Sequence, residues 1–272
     1  MASHSHSDAA ETRLRLLSYN IQSGQETQQR RHYVTKSWQT FLPHPIKQHN
    51  LNRIASLIDD YDLVGLQEVD AGSLRSAFID QTEYLAHRAG FSNWNIQVNR
   101  NIGHFGQFGN GFLCRYEPAS VHYHRLPGLR GRGAMVIKFG EGDESLSVVL
   151  VHLALGKRGR IRQMHFMREL ISDTPYNIVM GDLNCGSGSH YLEEFLSKSG
   201  MVETVIGEPT FPSWRPVRKI DHILVSDSLR TENPAVEDFP LSDHLPVRVD
   251  VILPFKLPQV DFRHHDASTP AI

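Results

Sequence analysis

Tyr176-Asn177-Ile178-Val179-Met180-Gly181-Asp182-Leu183-Asn184-Cys185-Gly186 is the stretch on which the reading of this chain turns. Ile178 to Met180 is a short apolar run that stops at Gly-Asp-x-Asn and dissolves into Gly, Ser and Cys. A run bounded in this way reads as a buried strand that delivers an aspartate and an asparagine to its C-terminal tip. Period-two alternation puts Asp182 and Asn184 on one face. A carboxylate beside a neutral amide can hold a hard cation and a water molecule. Taken alone, the same residues also suit an ordinary turn, which Asp, Asn and Gly all favour.

The chain has 272 residues, 40% of them hydrophobic, which is enough for a large core. Its net charge of −2 at pH 7 supplies no global field to draw it onto nucleic acid, although a local basic groove would suffice. The two cysteines, Cys114 and Cys185, form no framework and are expected as free thiols in a reducing compartment. No apolar run approaches the ~20 residues of a membrane span, and the N-terminus lacks the apolar core of a secretory leader. A soluble, cytoplasmic monomer is expected. Residues 1–12 read as a disordered lead-in and 254–272 as a C-terminal tail. Residues 13–253 read as one domain, undivided by any repeat, low-complexity linker or break in composition.

Leu14, Leu16, Leu17 and Tyr19 form a first strand that ends at Asn20-Ile21-Gln22-Ser23-Gly24. In the long excursion 25–50, Tyr33, Val34, Trp38, Phe41 and Leu42 fall at near-helical spacing and predict a short amphipathic helix. Leu51, Ile54, Leu57 and Ile58 mark the apolar face of another helix, and 62–69 is a short strand of the buried type. A helix over 77–89 stops at Gly90. Strands near 95–98 and 111–115 flank a Gly- and aromatic-rich loop over 99–110. Further strands are predicted at 120–124, 134–139 and 145–152, with a helix over 158–171. Ser189 can N-cap a helix that ends before Gly200, and the last strands are 220–225 and 247–253. The middle of the chain runs strand after strand. That argues for an α/β protein with mixed sheets, and a sheet–sheet sandwich flanked by helices fits.

Polar residues keep arriving at strand ends: Asn20, Gln67-Glu68, His152, Asp182 with Asn184, Asp221, and Ser242-Asp243-His244. A glutamate closing an apolar run is costly unless it is solvated or binds something. Each of these residues alone could be a cap, a turn or a surface group. Together they point to one site.

Those residues, with Gly109-Asn110 and Gly181-Asp182-Leu183-Asn184, occur in the order seen in the endonuclease/exonuclease/phosphatase superfamily. The chain resembles that family, also called the deoxyribonuclease-I-like fold, from about residue 13 to 253. The resemblance implies a four-layer α/β/β/α sandwich of two mixed sheets flanked by helices, with the site where the sheets meet. It also implies hydrolysis of phosphate esters with Mg²⁺ or Mn²⁺. Glu68 is then the leading metal ligand, with Asn20 beside it and Asp243 in or near the same shell. Such a metal needs only one or two carboxylates. Asp182 matches the residue that orients and deprotonates water, and Asn184 the one that positions phosphate or water. His244, held by Asp221, would donate to phosphoryl oxygens. His152 matches a second histidine on phosphate or leaving group, Asn110 its polar partner, and Arg132 a candidate phosphate clamp. The chain departs from the family in having Val151 before His152, where Thr is common.

His165 and His222 read as ordinary packed or hydrogen-bonded histidines, and Cys185 as a packing residue. Lys157, Arg158, Arg160 and Arg162 are either a solvated helix start or a phosphate-facing rim. Members of the family cut DNA, RNA, inositol phosphates, sphingolipids and nucleotide tails, and a shared fold does not choose among them. Selectivity is expected from 25–50, from the loop 99–110 with His104, Phe105 and Phe108, and from Trp214. Aromatics there could stack on bases, grip a lipid or pack on one another. The leading expectation is a metal-dependent phosphodiester hydrolase, with DNA or RNA as the first substrate class. The alternative is a phosphatase or phosphodiesterase for a lipid or a small soluble phosphate. The intact set of site residues argues against a relative that binds phosphate without turnover.

Overall fold

The first strand, β1 (Thr12–Asn20), buries both of its faces, and this sets the layering. Leu14 and Leu16 enter one core while Leu17 and Tyr19 enter another. A computed structural model describes residues 11–25, 45–171 and 174–257. The amphipathic helix expected around Tyr33, Trp38 and Phe41 lies outside the described residues, as do most of the two tails.

After β1 come α1 (Pro45–Ile58), β2 (Leu63–Asp70), α2 (Gln81–Arg88), β3 (Asn93–Asn101) and β4 (Gln107–Cys114). Next are β5 (Ser120–Arg125), β6 (Gly133–Glu141), β7 (Glu144–His152), α3 (Lys157–Leu170) and β8 (Tyr176–Asp182). The chain continues through α4 (His190–Ser199), β9 (Met201–Glu203), β10 (Asp221–Ser226), β11 (Arg230–Val236) and β12 (Val247–Leu253). The described strands make two mixed six-stranded sheets, ordered β11-β12-β1-β2-β4-β3 and β5-β6-β7-β8-β10-β9. Each sheet holds one parallel pair, β1 with β2 and β7 with β8, whose crossovers contain α1 and α3. Parallel strands carry their C-terminal ends to the same edge, which is why the polar tips collect.

Three cores follow from alternation along the strands. Leu150, Met180, Ile223 and Val249 lie in the core between the sheets, while α1 and α2 cover the first sheet through Ile54 and Leu85. Met167 and Phe195 of α3 and α4 cover the second against Val151 and Val179. The result is the four-layer α/β/β/α sandwich. The sheets approach closely at Gly65, where a Cβ would stand 2.7 Å from Leu150 Cδ1 and 3.0 Å from Met180 Cε. Among the described residues no helix is long and apolar enough to cross a membrane.

Several elements differ from expectation. The helix expected from 77 begins at Gln81 because Ala77 and Phe78 hold left-handed backbone and Asp80 provides the cap. Asp80 Oδ1 accepts from the backbone N–H groups of Thr82 and Glu83 at 2.9 and 3.2 Å. Much of the expected loop 99–110 is strand, since β3 and β4 form a hairpin that closes between Asn101 and Gln107. Strand β11 was not foreseen. It is a polar edge strand with a register shift between Glu232 and Ala235, and so carries no apolar alternation. Beyond β12, Phe255 and Leu257 pack into the inter-sheet core.

Candidate active site

The polar tips of both sheets meet at one edge. Asn20 pairs with Gln67 at the ends of β1 and β2, and Asp182 pairs with both His152 and Asp221 at the ends of β7, β8 and β10. Asn20 joins the halves: its Nδ2 lies 3.3 Å from Glu68 Oε1 and 3.4 Å from Asp182 Oδ2.

Glu68 reaches this edge through a β-bulge. The register of β2 against β4 shifts between Gln67 and Val69, and Glu68 takes φ 59°. A non-glycine residue in that region is uncommon and costs roughly 1–2 kcal/mol, so the surroundings must hold it. They do: Ser23 Oγ donates to the Glu68 carbonyl at 2.6 Å, Arg75 donates to Ser23 Oγ at 2.6 Å, and Arg75 forms a buried ion pair with Asp70. Among the described residues the Glu68 carboxylate accepts one hydrogen bond, the long one from Asn20. Its remaining lone pairs, on a half-buried hard oxygen donor, fit a divalent cation of the Mg²⁺ type.

The second sheet supplies the imidazoles. Gly181 has φ 140°, and a Cβ there would lie 1.9 Å from the Val151 carbonyl oxygen, so only glycine lets β8 lie this close to β7 before Asp182. Asn184 is not reached by strand alternation, since β8 ends at Asp182. Asn184 instead turns back with φ 53°, its N–H donating to Asp182 Oδ1 at 2.9 Å and its Nδ2 to the Leu153 carbonyl at 3.0 Å. Asp182 Oδ2 faces His152 Nε2 at 3.3 Å and His244 Nε2 at 3.9 Å. On its other side His244 Nδ1 lies 2.8 Å from Asp221 Oδ2, and Thr210 Oγ1 donates to that same oxygen at 2.6 Å.

Burial raises the pKa of Asp182, yet His152, then His244 and the Asn184 N–H, outweigh it and hold the carboxyl well below the usual range. Burial works against charge on His244 too, but Asp221, followed by Asp182 and Asp243, pushes its pKa from 6.5 to about 10. The metal-free site therefore favours the imidazolium form of His244, which carries a donor at Nε2. Asp182, Asp221 and His244 bring their ligand atoms within 4.8 Å of one another. With Nδ1 engaged by Asp221, this trio forms a carboxylate–imidazole–carboxylate chain.

Asn110 and Arg132 line a cleft of about 400 Å³ together with Glu68 and His152. Burial lowers the pKa of Arg132, and Glu68 and Asp182 offset only part of that cost. Asn110 Nδ2 donates to the Gly133 carbonyl at 3.3 Å. Asp243 is buried beside the site, its Oδ1 4.0 Å from His244 Nε2. Of the basic residues after His152, Arg160 is spent on Tyr191 and on the carbonyls of Ala154 and Leu155. His222 is fully buried between Glu203 and the Cys185 carbonyl.

Sequence reasoning missed the supporting residues. Thr210 braces Asp221, and Phe211 packs its ring 5.0 Å from that of His244. Ser23 and Arg75 support the Glu68 bulge. None of these residues carries a local signal, because each partner is distant in sequence.

The family model for the Endonuclease/Exonuclease/phosphatase family matches residues 17–244, and the chain belongs to this family. It is accordingly a hydrolase of phosphoester bonds, in a family generally dependent on divalent metals. Comparison with curated proteins gives no match. Among solved structures it is similar to an endonuclease/exonuclease/phosphatase from Beutenbergia cavernae, with 20% identity, a TM-score of 0.69 and coverage of 89% of this chain and 72% of that one. A mannosyl-6-phosphatase from Bacteroides thetaiotaomicron has 17% identity, a TM-score of 0.65 and coverage of 88% and 99%. ANGEL2, a 2′,3′-cyclic phosphatase, has 14% identity, a TM-score of 0.70 and coverage of 91% and 97%. At these identities the likeness is one of fold.

Proposed function

We propose that this protein is a phosphodiesterase dependent on Mg²⁺ or Mn²⁺ that acts on nucleic acid. The observation that carries the reading is the meeting of Glu68 and Asn20 from one sheet with His152, Asp182 and the Asp221–His244 pair from the other. Glu68, Asn20 and Asp243 would hold the metal, which supplies a Lewis acid for a phosphoryl oxygen and for charge on the leaving group. Asp182, anionic and with Oδ2 among Asn20, His152 and His244, orients water and takes its proton, with the Asn184 N–H fixing Oδ1. His244, charged by Asp221, donates from Nε2 to the phosphoryl oxygens as negative charge grows there. His152 donates to phosphate or leaving group, and Asn110 and Arg132 bind the phosphate from the cleft wall.

A second reading, hydrolysis of a lipid or small soluble phosphate, draws support from Leu129 and Leu155, which are 88% and 75% exposed on the same cleft. One experiment tests both. Purified protein with Mn²⁺ is offered plasmid DNA, abasic DNA, RNA, lysophospholipid and inositol phosphates, alongside Glu68→Gln. Nucleic-acid turnover that Glu68→Gln abolishes, together with loss of Mn²⁺ binding by calorimetry, is the expected result. Unchanged Mn²⁺ affinity in Glu68→Gln would remove Glu68 from the metal site.

A further inference from the structure

A second cleft, about 610 Å³, adjoins the first and shares Asn99, Arg130, Gly131 and Arg132 with it. Strands β3 and β5 and the loop 126–132 form its walls. Tyr123, His124, Arg125, Arg130 and Arg132 line it, and among the described residues no carboxylate does. Together with Arg100 at the first cleft, four guanidinium groups surround the two cavities. None of them makes a hydrogen bond or ion pair with another described side chain. Elsewhere Arg13, Arg15, Arg75, Arg115, Arg230 and Arg248 are each paired with an aspartate or glutamate. Glu68 and Asp182 lie close enough to offset Arg132, but Arg125 and Arg130 gather at the second cleft with no such partner among the described residues, and like charges gathered in this way raise the local potential and draw an anion.

The second cleft is too large for a phosphate alone and falls within the roughly 300–1,000 Å³ of ligand pockets. Tyr123, 52% exposed, offers its ring as a wall of the cleft, with its hydroxyl donating to Asn95 Oδ1 at 2.9 Å. Cations that follow a backbone beside an aromatic face suit successive nucleotides. An acyl chain would need a continuous apolar channel, which Arg125 and Arg130 interrupt.

We infer that this cleft holds the nucleotide adjoining the scissile phosphate of a single-stranded nucleic acid, with Arg125 and Arg130 on its phosphate and Tyr123 against its base. The inference rests on the phosphodiesterase reading and adds the site that selects the substrate. Arg125 and Tyr123 line the second cleft and not the first, which holds Glu68 and His152, so they separate selection from chemistry.

The test compares Arg125→Ala, Tyr123→Ala and Tyr123→Phe with wild type, using bis(p-nitrophenyl) phosphate and single-stranded oligonucleotides of increasing length. Turnover of the small diester should be unchanged. KM on oligonucleotides should rise about tenfold for either alanine variant, the scale of one lost phosphate or stacking contact, and Tyr123→Phe should retain wild-type KM. Fluorescence anisotropy on Asp182→Asn protein, with and without Arg125→Ala, should show the salt slope of oligonucleotide binding falling by about 1. Unchanged KM and salt slope would overturn the inference, as would a wild-type preference for inositol phosphate or lysophospholipid. Absence of turnover on every diester would strike the active-site reading instead, while the anisotropy measurement would still judge the cleft.

Discussion

Asp221→Asn is the substitution that tests the site most sharply. Asp221 is 1% exposed and accepts from His244 Nδ1 and Thr210 Oγ1, so the amide keeps the shape, removes the charge and turns one acceptor oxygen into a donor. With His244 at about 10 in the fold against an ordinary 6.5, its protonation contributes at most about 4 kcal/mol at pH 7. That stability is fully present below 6.5 and is lost as the pH rises toward 10. Asp221 is the largest favourable contributor, so its loss should remove a few kcal/mol and lower Tm by roughly 5–10 °C at pH 7. The penalty should shrink above pH 10, where wild-type His244 is neutral as well. In NMR titration of the metal-free protein, the His244 resonance should move to a midpoint below neutrality. Turnover of bis(p-nitrophenyl) phosphate with Mn²⁺ should fall by ~10² or more, and Asp221→Asn combined with His244→Ala should be little worse than His244→Ala alone. A His244 midpoint still near 10 in the variant, or multiplying losses in the double mutant, would refute the pairing.

Glu68→Gly should abolish Mn²⁺ binding measured by calorimetry while raising the stability of the metal-free protein by about 1 kcal/mol, because glycine relieves the left-handed backbone at φ 59°. A chelated thermal melt that shows destabilisation instead would mean the side chain holds the bulge. Gly65→Ala should cost about 1–3 kcal/mol in urea unfolding, since its methyl would meet Leu150 and Met180 between the sheets. Glu203 is held at about 2 against an ordinary 4.5 because His222 and Lys219 outweigh its burial. Its contribution is present above pH 4.5 and lost as the pH falls toward 2. Glu203→Gln should therefore flatten the acid limb of a Tm-versus-pH series.

Much of the fold and the membership of the candidate site could be read along the chain. Buried strands such as β8 announce themselves as apolar runs, because a strand covered on both faces admits no polar alternation. Asp182, Glu68 and His152 stood out for the same reason, as polar groups closing runs that could not otherwise accommodate them. The polar edge strand β11 and the extension of β3 and β4 into the supposed loop escaped notice, since pairing, rather than burial of their own side chains, makes them strands. The hydrogen-bonded partners were equally hidden. Nothing near Glu68 foretells a bulge, which comes from its register against β4 and the support of Ser23 and Arg75. Nothing near Asp221 foretells Thr210, and Arg100 and Arg125 line adjoining clefts only because β3 and β5 end at the same edge of two different sheets. Periodicity records what each residue must do locally with water. Which distant residues face one another is settled only when the two sheets pack.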